Sequence, residues 1–229
     1  MKLHCVDCKG YGKSVFSYLT PEQQIRLSKN FQKREVKKND IIFTKGDKPE
    51  GLICLSKGNV KVYKEGVGGR EQIIRMAKPV GFLGYRALFA EEEHSSTAVA
   101  LEDSTICIFE RNSLYEVMKE SSELCMRIIQ AFATELGFTM DRTVTLTQKH
   151  IRGRLAETLI FLKDNYGVDN EGYINARLSR EDIASLSSMT TSNAIRTLSA
   201  FAQEELILVN GRQIKILNFD NLDQVSAKG

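Results

Sequence analysis

Short β-rich runs separated by glycine turns fill residues 34–110, and the pattern stops at Arg111. The runs are Ile41-Ile42-Phe43, Leu52-Ile53-Cys54-Leu55, Val60-Lys61-Val62-Tyr63, Ile73-Ile74-Arg75-Met76 and Thr105-Ile106-Cys107-Ile108-Phe109. Lys45-Gly46-Asp47, Lys57-Gly58-Asn59, Gly66 to Gly69 and Pro79 to Gly81 separate them. Many short strands with regular turns bury their apolar sides by closing on one another, so a barrel or jelly roll is predicted. Ahead of them, residues 15–30 predict a short helix, with Thr20 as a plausible N-cap and Pro21 in the first turn.

Beyond Arg111 glycine almost disappears. Leu124, Ile128, Ala131 or Phe132, Leu136 and Met140 recur at spacings near three and four. That period predicts one long amphipathic helix over 121–146, whose apolar stripe suits a dimer seam. Asp141 and Arg142 lie near the end of the stripe, where a charge facing the partner would set how readily a dimer forms. Residues 152–165 predict a further helix ending before Gly167.

The stretch from Leu178 to Leu217 carries the most specific pattern. Ser179 followed by Asp182 is a capping-box-like start with a shorter acid than usual. Ile183, Ala184 and Leu186 give a first helix its apolar side, and Ser187-Ser188-Met189 break it. Thr190 caps a second helix whose buried face is Ala194, Leu198 and Phe201. Ile207-Leu208-Val209, Asn210-Gly211 and Ile214-Lys215-Ile216 predict a hairpin, with Asn-Gly suited to a type I′ turn. Together these predict a winged helix-turn-helix. Thr191, Ser192, Asn193, Ile195 and Arg196 then fall at the start and exposed face of the recognition helix, where base edges are read. Arg196 suits a bidentate contact to guanine, and Ile195 a thymine methyl. Arg180 and the wing-tip Arg212 are the candidate phosphate contacts, which fix register without reading sequence, and Ser179 is a further candidate DNA-binding residue.

The predicted architecture is α+β in three parts. Residues 1–115 form a β-roll, 116–148 a dimerisation helix and 149–229 a winged helix-turn-helix. A chain of 229 residues with 42% hydrophobic and 27% charged side chains is an ordinary globular protein. No apolar run approaches the roughly 20 residues that span a bilayer. The N-terminus lacks the apolar core of a signal peptide, so the cytoplasm is expected and no membrane partner. Five cysteines at uneven spacing do not suggest a disulfide framework. The net charge is only +3, and residues 149–229 carry equal numbers of acidic and basic side chains. Any nucleic-acid binding therefore rests on where the charges sit. Three histidines scattered along the chain, none in an H-x-H pair, and no nucleophile–base arrangement argue against an enzyme.

This order of parts resembles the Crp/Fnr family of bacterial transcription regulators over nearly the whole chain. Gly46-Asp47, the stretch from Leu52 to Tyr63 with its central Gly58, Gly81-Phe82-Leu83-Gly84, and the stretch from Ser179 to Ile207 carry the resemblance. It implies a homodimer on a roughly palindromic duplex DNA site, an effector sensed by a cyclic-nucleotide-binding-like roll, and contact with RNA polymerase. The cyclic-AMP-binding members have a glutamate where Phe82 stands and an arginine where Ser96 stands. Cyclic AMP is therefore not the expected effector. Phe82, Leu83, Gly84, Tyr85, Arg86, Ser96 and Thr97 would line the place where the nucleotide sits in relatives. The family often has glutamate at the position of Ser192, so a non-standard half-site is expected. A roll that binds a nucleotide or protein partner without touching DNA is the rival reading.

The stretch HCVDCKGYGKS at residues 4–14 resembles the ligand motif of the Fnr-like oxygen sensors. Those hold a four-iron, four-sulfur cluster on three N-terminal cysteines and one in the roll. The resemblance places Cys5, Cys8 and Cys107 as candidate metal ligands, while the third N-terminal position falls on Ser14. Redox or gas sensing follows if they bind a cluster. The alternatives are idle cysteines, zinc, haem on His4, His94 or His150, or a small organic effector in the roll. Cys107, Cys54 and Cys125 also suit plain core positions, and His94, in EEEHSST, suits a solvated loop.

Overall fold

The computed structural model describes residues 14–229. The chain divides into two compact units, one ending at Glu135 and the other running from Leu136 to Gly229. Among the described residues no helix is long and apolar enough to cross a membrane.

In the first unit a single 3-10 turn, Val15–Tyr18, precedes helix α1, Pro21–Leu27. The expected helix over 15–30 is thus broken at Leu19 and Thr20. Thr20 is extended, as a residue before proline prefers, and forms a reciprocal capping box with Gln23. Eight strands follow: β1 (Gln32–Val36), β2 (Ile41–Phe43), β3 (Gly51–Lys57), β4 (Val60–Glu65), β5 (Glu71–Ala77), β6 (Phe82–Leu83), β7 (Thr97–Ala100) and β8 (Ser104–Glu110). They form two antiparallel four-stranded sheets, of order β1-β8-β3-β6 and β2-β7-β4-β5. Helix α2 (Tyr85–Ala90) interrupts the strands, and α3 (Arg111–Glu120) follows them.

Strand alternation sorts the side chains of β3 and β8 into two cores. Ile53, Leu55, Ile106 and Ile108 join Val36, Phe43, Val60, Val62 and Leu83 in one cluster. Leu52, Cys54, Cys107 and Phe109 join a second, with Phe16, Leu27, Leu88, Leu114, Leu124 and Ile128. Both faces of these strands are therefore buried, which is why they read as unbroken apolar runs.

Helix α4 spans Ser122–Gln148. Leu124, Ile128 and Phe132 pack on the roll within the first unit. Leu136 and Met140, expected on the same stripe, are exposed, together with Met126, Ile129 and Val144; each four-residue step turns about 40° further from the packed side. The predicted seam thus mixed two apolar faces. Spacings of three and four are satisfied by either face of a helix that buries one side against its own domain.

The second unit contains α5 (Ile151–Tyr166), α6 (Arg180–Leu186), α7 (Thr191–Gln203), the hairpin β9 (Ile207–Asn210) and β10 (Gln213–Ile216), and α8 (Phe219–Lys228). Arg142 turns toward this unit's own helices and donates to the Leu186 carbonyl at 2.6 Å. The hairpin register pairs Asn210 with Gln213, so its turn residues are Gly211 and Arg212. Of these only Gly211 has positive φ, 57°, so the expected type I′ turn does not form.

Candidate nucleic-acid interface and sensor roll

Helices α6 and α7 are set by their caps. Ser179 Oγ accepts the Asp182 amide at 3.0 Å, and Asp182 Oδ2 accepts the Ser179 amide at 3.2 Å. Thr190 Oγ1 accepts the Asn193 amide at 3.2 Å and starts α7. Between the helices Ser188 adopts φ 53°, which reverses the chain within three residues. Ala194, Thr197, Leu198 and Phe201 form the buried face of α7. Ser192, Ile195, Arg196 and Ser199 are exposed on the other side, and Thr191 and Asn193 are half-buried.

The predicted DNA-contacting residues therefore share one side of the helix, with two refinements. Arg196 donates from Nη2 to Asn193 Oδ1, so its guanidinium is held in place near the start of α7. Arg180 donates from Nη2 to the Gly211 carbonyl at 2.7 Å and ties α6 to the wing. Ser179 spends its hydroxyl on the cap. Arg212 is exposed at the wing tip.

The predicted effector residues fall on β6, on α2 and at the start of β7. Phe82 and Leu83 are neighbours on β6, and alternation sends Phe82 to the core around Phe16 and Leu83 to the core between the sheets. Gly84 caps α2 with φ 66°. Tyr85 stacks on Phe132 of α4 at 4.7 Å, and Arg86 pairs with Glu92 at the surface. Thr97 is buried, and its Oγ1 accepts the Lys45 amide at 3.2 Å; Ser96 is half-buried.

Arg75 had no signature in the sequence, because a charge within an alternating strand reads as a solvated face. Its guanidinium donates to the Phe82 carbonyl, lies over the Tyr85 ring and pairs with Glu135 of α4 at 2.6 Å. This residue joins β5, the Gly81–Gly84 turn and the long helix within the first unit.

His94 departs from the expected solvated loop. It is 5% exposed and stacks on Phe43, with ring centroids 3.9 Å apart. A β-carbon on Gly84 would come within 2.6 Å of His94 Cε1, so glycine is what leaves room for the ring. Burial lowers the imidazole pKa, opposed by the Asp47 and Glu50 charges. A base held below its ordinary value, near 6.5, favours folding fully above that value and loses the contribution as pH falls below it. The urea midpoint of the chain is therefore expected to drop as pH falls from 7 toward 5, and His94→Gln to flatten that slope. Equal slopes in both proteins would contradict this.

Of the candidate cluster positions, the described residues include Ser14 and Cys107. Ser14 is buried and its Oγ accepts the Phe16 amide at 3.3 Å. Cys107 is 1% exposed inside β8. Among the described residues no three His, Cys, Asp or Glu side chains gather as a metal site. Cys5, Cys8 and His4 lie outside the described residues, so Cys107 is the one candidate cysteine ligand among them. For haem, His94 is packed on Phe43, and His150 is the exposed N-cap of α5.

Comparison with known proteins follows the same two-part layout. The sequence matches the cyclic nucleotide-binding domain family over residues 33–121 and the Crp-like helix-turn-helix domain family over residues 153–225. It is 26% identical to the electron transport regulator A of Shewanella oneidensis, covering 96% of this chain and 89% of that protein. It is 24% identical to the anaerobic regulatory protein of Haemophilus influenzae, covering 98% and 88%. The solved structure of FixK2 from Bradyrhizobium japonicum shares the fold, with a TM-score of 0.76 at 23% identity over 85% of this chain and 96% of that one. A sheet roll and a winged helix-turn-helix, each matched by its own family model and joined by a long helix, show that the chain belongs to the Crp/Fnr family of transcription regulators.

Proposed function

We propose that the chain works as a cytoplasmic homodimer without catalytic activity, which binds an inverted-repeat DNA site under control of an effector other than cyclic AMP. The observation that carries this reading is the exposed face of α7. Ser192, Ile195, Arg196 and Ser199 stand clear of the core beside a wing that Arg180 holds to α6. That face enters the major groove, and Arg212 meets the flanking phosphates. The exposed stripe of Met126, Ile129, Leu136, Met140 and Val144 on α4 supports a seam with a second copy. Phe82, an apolar core residue, offers no carboxylate to a ribose, which supports a different effector. The names of the relatives, an electron transport regulator and an anaerobic regulatory protein, favour redox or gas sensing. Contact with RNA polymerase follows from the family role.

The test is the salt dependence of binding to duplex DNA. A protein with six to ten phosphate contacts loses about 1,000- to 100,000-fold in affinity between roughly 50 and 200 mM salt. A loss of that order is expected here. Flat, weak binding would instead favour a roll that takes a nucleotide or protein partner and does not touch DNA.

A further inference from the structure

Across the sheet of order β1-β8-β3-β6, Lys33, Cys107, Cys54 and Phe82 are successive cross-strand partners. Opposed residues on antiparallel strands point to the same face. Cys54 and Cys107 accordingly share one core cluster, 2% and 1% exposed, and both carry thiols. Opposed β-carbons lie about 4.5–5.5 Å apart, whereas a disulfide holds them at about 3.5–4.5 Å. The two ranges meet at their edges, so the opposed pair is close to the separation that a disulfide needs, and a bond formed there is reversed by thiol–disulfide exchange with a small dithiol.

We propose that Cys54 and Cys107 are a reversible dithiol–disulfide redox site covered by Phe16. The oxidant class is a small hydroperoxide. One sulfur, as thiolate, attacks the peroxide oxygen, the O–O bond breaks, and a sulfenic acid and water form. The second sulfur attacks the sulfenic sulfur, the S–O bond breaks, and a second water leaves. The two thiols give up two protons and two electrons, and hydrogen peroxide is reduced to two waters. A small dithiol reductant reverses the change.

The cover is a single aromatic side chain on a short element. Phe16 is fully buried, with its ring centroid 5.9 Å from that of Phe82 and 4.7 Å from that of Phe109. Phe82 is opposite Cys54, and Phe109 is two residues along β8 from Cys107. Phe16 rides on the one-turn Val15–Tyr18 segment, which is capped by Ser14. One turn opens at far lower cost than the sheet beneath it. Its displacement admits a small oxidant without unpairing β3 from β8. Cys125 is an internal control, since its Sγ donates to the Met118 carbonyl at 3.2 Å on α4. The proposal stands on thiol geometry and is independent of the DNA-binding reading.

The experiment uses the reduced full chain and a few-fold excess of hydrogen peroxide. Remaining thiols are blocked with N-ethylmaleimide in denaturant, and the digest is read by mass spectrometry. A linked pair of peptides carrying Cys54 and Cys107 is expected, restored to two alkylated peptides by dithiothreitol, with Cys125 alkylated throughout. Cys54→Ser is expected to abolish the link, and Phe16→Leu to speed its formation several-fold. Recovery of both cysteines as separate alkylated or irreversibly oxygenated peptides would overturn the site, as would linkage of either to another cysteine. An unchanged rate in Phe16→Leu would overturn Phe16 as the cover.

Discussion

Met140→Asp is expected to leave the chain monomeric at micromolar concentration and to remove its specific DNA binding. Met140 lies on the exposed stripe of α4, between Leu136 and Val144. A two-fold seam brings the same residue from both copies to the interface, so one substitution buries two like charges. Desolvating each carboxylate costs several kcal/mol. A total of at least about 4 kcal/mol weakens the dimer about 1,000-fold. A monomer meets one half-site and roughly half the phosphates, so specific affinity falls with the dimer. Sedimentation equilibrium reads the first effect and DNA titration the second. Thr134→Asp, at an exposed position off the stripe, is the control and is expected to leave both unchanged. A Met140→Asp protein that dimerises like the parent would remove α4 as the seam.

Arg196→Ala is the second large effect, and it acts on sequence discrimination. Arg196 is exposed on α7 and makes no core contact, so the fold is expected to shift by no more than about 0.5 kcal/mol. The loss of one bidentate guanine contact costs about 1–3 kcal/mol per half-site. Two half-sites give about 2–6 kcal/mol, or roughly 30- to 25,000-fold in specific affinity. Binding to unrelated duplex is expected to change far less. Arg212→Ala is expected to do the reverse and weaken all sequences by a similar factor, because a phosphate contact carries no base information. Competition titration with specific and random duplex separates the two. A uniform loss in Arg196→Ala would demote that residue to a phosphate contact.

Local chemistry makes the helix-turn-helix and most strands readable in the sequence alone. Ser179-Asp182 and Thr190 are caps, and the glycine turns fall between strands, all within a few residues of sequence. Apart from the break before Pro21 and the hairpin turn, the differences are long-range. Met140 and Ile128 fit the same period, yet one faces solvent and the other the roll, and only packing separates those faces. Phe82 and Leu83 are adjacent in sequence, and their division between two cores follows from the pairing of β6 with β3. His94 reads as loop polarity, and its burial depends on Gly84 and Phe43, residues distant in sequence. The opposition of Cys54 and Cys107 is a matter of register, which neither strand encodes alone.

The most direct test of the central claim is selection of duplexes from a random library by the purified full chain, with the bound stoichiometry measured on the winners. The expected result is an inverted repeat whose half-site centres lie about one helical turn apart, a guanine in each half-site, and two chains per duplex. Enrichment of no symmetric sequence, or one chain per duplex, would contradict the account of a dimeric reader with α7 in the groove.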